Sequence, residues 1–311
     1  NAKLFCIKAI PGSGQGLVAT TNIPMGARIL AEAPIITLSD GELGGSAERL
    51  LADKLSSLSN KKRKGYFRLH NIHGSSLSPA CGIFKTNALP LEDNHSSILL
   101  NACRINHACD PNALNTWNDA LKNITLHAIR DINKGEEITI SYMSDTVNYA
   151  ARQARLNKGF GFICACRLCT LPLADRTLSD QRWDQIAALD KQVTSPPRLL
   201  FSPVSTHHCL REMLRLLREE GYAADAIMAP RTYNDAFQVA VINGDQARAN
   251  VFAQRAYAAR VVGYGDDHPG VVRLRGYVDN PASHPIYGRT MRWKQSVALI
   301  PKGLGKSEFE D

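Results

Sequence analysis

The chain has 311 residues, 44% of them hydrophobic and 21% charged, which is room for one large or two ordinary globular domains. No apolar run approaches the about 20 residues that a membrane-spanning helix needs, and residues 1–10 lack the basic-then-apolar layout of a secretory signal, so an intracellular protein of the nucleus or cytoplasm is expected. The net charge of +8 sits mostly in residues 1–170, with 19 Lys and Arg against 13 Asp and Glu; it is compatible with acidic partners or nucleic acid and says nothing about fold. The chain opens on Asn1 rather than a methionine, which leaves room for a segment ahead of it.

Residues 3–38 read as short strands and turns. Leu4, Cys6 and Lys8 alternate with Phe5, Ile7 and Ala9; Pro11 to Gly16 interrupts the pattern; Leu17–Thr20 and Arg28–Leu30 resume it. Residues 47–72 predict an amphipathic helix with Leu50, Leu51, Leu55 and Leu58 near helical spacing. Within it Lys61-Lys62-Arg63-Lys64 reads as a solvated face, with nuclear import or phosphate contact as the other readings. Residues 81–170 predict strands and loops again, including Thr125–Ile129 and Glu137–Tyr142. After residue 180, Trp183–Val193, His208–Gly221, Asp225–Ile242 and Asp245–Gly263 predict helices, with Pro196-Pro197 as a loop between the first two. Leu210, Met213, Leu214 and Leu217 form one buried stripe. Gly244 ends one helix and Asp245 caps the next, which makes a helical hairpin.

Of eight cysteines, three crowd into Cys164-Ala165-Cys166-Arg167-Leu168-Cys169. With no secretory context, the C-x-C-x2-C spacing reads as a zinc site, since zinc takes four tetrahedral ligands and often thiolates. Spacing leaves the fourth ligand open among Cys6, Cys81, Cys103, Cys109, Cys209 and nearby histidines.

Four stretches resemble the SET-domain protein-lysine methyltransferases. Gly14-Gln15-Gly16-Leu17 resembles their G-x-G-L turn, and Arg104-Ile105-Asn106-His107-Ala108-Cys109-Asp110-Pro111-Asn112 resembles R-x-x-N-H-x-C-x-P-N, one residue tighter after the arginine. Gly135-Glu136-Glu137-Ile138-Thr139-Ile140-Ser141-Tyr142 resembles G-E-E-I-x-x-x-Y, and the cysteine run resembles the post-SET segment. Residues 235–272 are similar to the tetratricopeptide-like region of the SET-and-MYND type, whereas residues 30–80 contain no cysteine, so the MYND finger is absent.

The resemblance implies an α+β fold: a SET β-clip domain of small sheets with a pseudoknot over residues 1–160, a helical insert at about 42–80, a zinc-bound post-SET segment at 161–175, and an all-α tetratricopeptide-like domain at 180–311. It implies S-adenosylmethionine-dependent methyl transfer to a lysine side chain of a histone or other protein. Tyr142 and Phe160 would line the transfer channel, Phe160 where several relatives carry a tyrosine. Gly14, Gln15, Gly16, Leu17, Asn87, Asn106, His107, Tyr142 and Phe162 would bind the cofactor. Cys109 would join Cys164, Cys166 and Cys169 around one zinc ion. The other reading is a SET-fold interaction module of little catalysis, with the helices holding a peptide. A recognition role is expected of the helical part, as a wall of the substrate cleft. A monomer acting on lysine-bearing protein or peptide is expected, with no membrane partner. Nucleic acid is not an expected partner, because a second cysteine pair and a recognition-helix pattern are missing.

Overall fold

The computed structural model describes residues 3–43, 47–91, 94–143, 147–194 and 202–292; Pro196-Pro197 lies outside them. Two compact units emerge: one holds residues up to Tyr142 and Arg152–Cys166, the other Met143–Ala151 and the chain from Arg167 onward.

The first unit is built of small sheets. Strands β1 (Phe5–Ile10) and β2 (Gly14–Ala19) form an antiparallel hairpin running from Phe5↔Ala19 to Ile10↔Gly14. Its turn is shorter than the glycine-rich run suggests: only residues 11–13 leave the ladder, with Gly12 and Gly14 at φ +75° and +71°, a region closed to most side chains. Strands β3 (Arg28–Glu32) and β4 (Ile36–Ser39) follow.

An insert of three helices then comes: α1 (Ala47–Ser56), α2 (Asn60–Tyr66) and α3 (Pro79–Asn87). The single helix expected over 47–72 is thus two, because Ser59 accepts a hydrogen bond from the Lys62 backbone N–H and starts a fresh helix. α3 was expected as strand or loop; Ser78 caps it and Pro79 occupies its first position, a start signal that hydrophobic period alone overlooks. Leu51, Leu55, Tyr66 and Phe84 bury against Ile36, Leu38 and Ile98.

Strands β5 (Leu89–Pro90), β6 (His95–Ile98), β7 (Asn106–His107), β8 (Ala113–Asn118), β9 (Asn123–Ala128) and β10 (Glu137–Ile140) complete three sheets, ordered β1-β2-β10-β7, β3-β9-β8 and β4-β6-β5. The first two sheets share a core that includes Phe5, Leu17, Ile105, Leu126, Ile138 and Ile140. Helix α4 (Tyr149–Phe160) replaces the strand-and-loop expectation there. It is built of Ala, Arg, Gln and Leu, strong helix formers, and Gly161 at φ +73° ends it.

The second unit is helical: α5 (Leu173–Val193), α6 (Pro203–Glu220), α7 (Tyr222–Ile242), α8 (Gln246–Tyr264) and α9 (Pro269–Asp279). Each helix packs on the next in sequence. Leu210, Met213, Leu214 and Leu217 lie in its core with Trp183, Phe237 and Phe252. Gly244 at φ +80° separates α7 from α8, and Asp245 accepts from the Arg248 backbone N–H at 2.9 Å. α5 begins well before the expected Trp183, and α9 was not expected; its start is marked by Pro269 behind the His268 cap.

Candidate active site and cysteine cluster

The site grows from two short strands lying side by side. β7 runs parallel to β10, pairing Asn106 with Thr139 and His107 with Ile140. Asn112, only 2% exposed, fastens the pair: its amide nitrogen donates to the Glu137 backbone oxygen (2.8 Å) and Glu136 Oε1 (2.9 Å), and its Oδ1 accepts from Thr139 N (2.8 Å). Glu136 also meets Arg130 at 2.5 Å. Burial alone would raise its carboxyl, but the bonds from Arg130 and Asn112 overcome it and hold the carboxyl below its usual range.

Asn106 donates to Glu137 Oε1 at 2.8 Å. A Cβ on Gly16 would lie 2.5 Å from that oxygen and 2.9 Å from the Asn106 amide nitrogen, so Gly16 leaves space for this pair. Gly14 and Gln15 are exposed, and nothing stands within 4 Å of where a Gly14 Cβ would point. Leu17 is different: the whole residue is 0% exposed in the sheet core. Asn87 spends its amide nitrogen on the carbonyls of His70 (2.6 Å) and Ile83 (2.7 Å), inside the helical insert.

Both ring nitrogens of His107 are engaged within the chain. Nδ1 accepts from the Tyr142 backbone N–H at 3.0 Å, which assigns the ring proton to Nε2, and Nε2 lies 3.2 Å from Cys109 Sγ. The imidazole therefore ties the end of β10 to the cysteine cluster, and what it offers a ligand is its ring face. The Tyr142 hydroxyl donates to the Ile105 carbonyl oxygen at 2.7 Å, and burial pushes its phenol well above the usual value, so it stays neutral.

Four of the expected side chains form one aromatic group. The Tyr142 ring centroid is 4.8 Å from Phe160, 5.3 Å from His107 and 6.5 Å from Phe162; Phe162 is 6.2 Å from His107. Phe160 ends α4, and Phe162 follows the Gly161 turn.

Cys109, Cys164, Cys166 and Cys169 converge, with their sulfurs all within 4.8 Å of one another. Cys109 Sγ is 3.9 Å from Cys164 Sγ, close to the about 3.8 Å that tetrahedral Zn–S bonds of about 2.3 Å would impose. Among the described residues this is the cluster suited to a metal; Cys103 instead accepts from Leu99 N at 3.2 Å, and burial pushes its thiol up to about 12. Gln153, which the sequence reading passed over, holds the loop: Cys164 N donates to its Oε1 (2.8 Å) and its Nε2 donates to the Cys164 carbonyl (2.9 Å). No local pattern signals that pairing.

The SET domain sequence pattern matches residues 14–143. Along 287 residues, the chain is 33% identical to the histone-lysine N-methyltransferase set5 of Schizosaccharomyces pombe, covering 91% of this chain and 86% of that one. The chain belongs to the SET-domain protein-lysine methyltransferases. It is also 28% identical over 196 residues to the N-lysine methyltransferase SMYD2 of Gallus gallus, 56% of this chain and 43% of that one. A shorter match, 46% over 66 residues, joins 21% of this chain to 19% of the Arabidopsis thaliana histone-lysine N-methyltransferase ATXR4.

Proposed function

We propose that this protein uses S-adenosylmethionine to methylate a lysine side chain of a protein, histone or non-histone. The observation that supports it best is the aromatic group of His107, Tyr142, Phe160 and Phe162, set on the β7–β10 pair of a SET-domain chain. S-adenosylmethionine supplies, when bound, a methyl group on a cationic sulfur. Aromatic faces suit such a cation, and the open Gly14-Gln15 turn gives its backbone room for a close ligand. Gly14, Gln15, Gly16, Asn87, Asn106, His107, Tyr142 and Phe162 are proposed to hold it, with Leu17 backing them from the sheet core.

The chain's own part is positioning and desolvation. A narrow channel strips water from an ammonium, and that desolvation lowers the lysine's pKa toward the neutral amine that must attack. Tyr142 commits its hydroxyl hydrogen to the Ile105 carbonyl, so toward a substrate its oxygen can act only as an acceptor. Holding amine and methyl in line can supply about 7–11 kcal/mol at the generous end. We propose that Cys109, Cys164, Cys166 and Cys169 hold one zinc ion; it would fix the segment that carries Phe162. The helical unit is proposed as a tetratricopeptide-like selector of protein substrate, and the molecule as an intracellular monomer.

A weaker enzyme that works mainly as an interaction module is favoured by one observation: Phe160 brings no hydroxyl, so Tyr142 is the sole phenol in the aromatic group. Calorimetry with S-adenosylmethionine, followed by mass spectrometry of a lysine peptide array, separates the readings. Cofactor binding with methylated lysine supports the enzyme; cofactor binding without any turnover supports the module; absence of cofactor binding overturns the cofactor assignment.

A further inference from the structure

The net charge of the chain is +8, yet from Lys54 to Leu91 there are seven Lys and Arg and not one Asp or Glu. The three-helix insert as a whole, residues 47–87, carries eight Lys and Arg against two Asp and Glu, +6 of the chain's +8. The insert also presents it rigidly. On α2 and the turn after it, Tyr66 is 0% exposed with its hydroxyl donating to the Ala80 carbonyl at 2.7 Å, and Leu69 is 6% exposed. A Cβ on Gly65 would stand 3.0 Å from Leu100, so that face is closed. With those three positions turned inward, Lys61, Lys62, Lys64 and Arg68 are exposed. Among the described residues no carboxylate pairs with any of the four. Arg104 extends the same surface: its Nη1 reaches the Arg68 carbonyl at 3.4 Å.

We propose that this insert is a docking surface for the phosphate backbone of a nucleic-acid duplex, separate from methyl transfer. A duplex offers about one negative charge per 1.7 Å of axis, a dense and uniform target for cations that pair with no acid among the described residues. A stable protein partner would instead ask for an apolar centre within a polar rim. Phe67 is the one large apolar side chain exposed among the described residues of this stretch, too little for such a centre. The chain has no recognition-helix pattern, but backbone binding reads no bases and needs none.

The test is fluorescence anisotropy of the full chain with a labelled duplex DNA of about 20 base pairs across about 50–200 mM salt. Four phosphate contacts predict a log–log slope of about −3.6, roughly a hundredfold weakening over that range. The variant K61A/K62A/K64A/R68A is expected to lose most of that slope and at least about tenfold in affinity at low salt, with its melting temperature and S-adenosylmethionine binding unchanged. The variant K61R/K62R/K64R is expected to bind as the parent does. The proposal is overturned if the parent shows no salt-dependent binding, if the alanine variant binds equally well, or if a polyglutamate peptide of matched charge competes as strongly as unlabelled duplex, which would point to an acidic protein.

Discussion

Replacing Gln153 by leucine tests whether the cysteine loop is held from outside its own motif. The glutamine is 9% exposed and satisfies both backbone groups of Cys164, itself 6% exposed, through bonds of 2.8 and 2.9 Å. Leucine keeps most of the volume but leaves a buried N–H and a buried C=O without that partner, at about 1–3 kcal/mol each. Some relaxation is expected, so a net loss on the order of 3 kcal/mol is reasonable, equivalent to about 6–12 °C in the melting temperature of a domain this size. Because Cys164 and Phe162 share the loop that Gln153 holds, the same change should speed zinc release to a colorimetric chelator. Elemental analysis of the parent should first give one zinc per chain. Gln153→Glu keeps the acceptor but turns a carboxylate oxygen toward the Cys164 carbonyl, so its defect should resemble that of leucine. Parent-like melting and zinc retention in Gln153→Leu would refute the assignment of Gln153 as the brace.

Tyr142→Phe removes the hydroxyl bonded to Ile105 while leaving the ring, so methyl transfer should fall by about 100-fold or more, while the protein stays folded at a cost of about 1–3 kcal/mol for the unpartnered carbonyl; steady-state turnover on a peptide substrate measures it. Gly16→Ala puts a Cβ 2.5 Å from Glu137 Oε1 and 2.6 Å from Ile10 Cγ1, so thermal denaturation should show about 1–3 kcal/mol of destabilisation together with weaker cofactor binding. In the helical unit, burial raises the Asp235 carboxyl from 3.8 to about 6, against the pull of Arg231 and with Asp190 adding repulsion. A folded-state pKa above the unfolded one means that stability is full below about pH 4 and is lost as pH rises through about 6. Asp235→Asn should therefore stabilise that unit at pH 7 by up to about 3 kcal/mol, with the gain fading by pH 4 in pH-dependent melts.

The centre of the site was legible because its residues are constrained in type and spacing together. Asn106, His107 and Cys109 sit within four residues, and Tyr142 lies two residues beyond the strand that pairs with Asn106 and His107; the structure brings His107, Tyr142, Phe160 and Phe162 into one ring group and adds Cys109 to the three clustered cysteines. Side-chain direction was less legible. Leu17 belongs to a cofactor-like motif, yet strand alternation turns it into the core opposite Ile7 and Ile138. His107 was expected to offer its imidazole to a ligand, yet both nitrogens serve the chain itself.

Helix α4 escaped hydrophobic periodicity because its buried positions are Arg152, Gln153 and Leu156, a mostly polar stripe. α3 and α9 are short, and their clearest signals are capping residues with a following proline rather than an apolar repeat. The Gln153–Cys164 bonds join residues eleven positions apart through a side chain that carries no motif, and no single-sequence pattern encodes such a pair.

The most direct test of the central claim is mass spectrometry of lysine-bearing peptides and core histones incubated with the full chain and S-adenosylmethionine, with Tyr142→Phe beside it. The account predicts methyl increments on lysine in the parent reaction and their loss in the variant. A zinc-loaded, cofactor-binding parent that leaves every lysine unmodified, or a Tyr142→Phe protein that matches the parent's turnover, would contradict it.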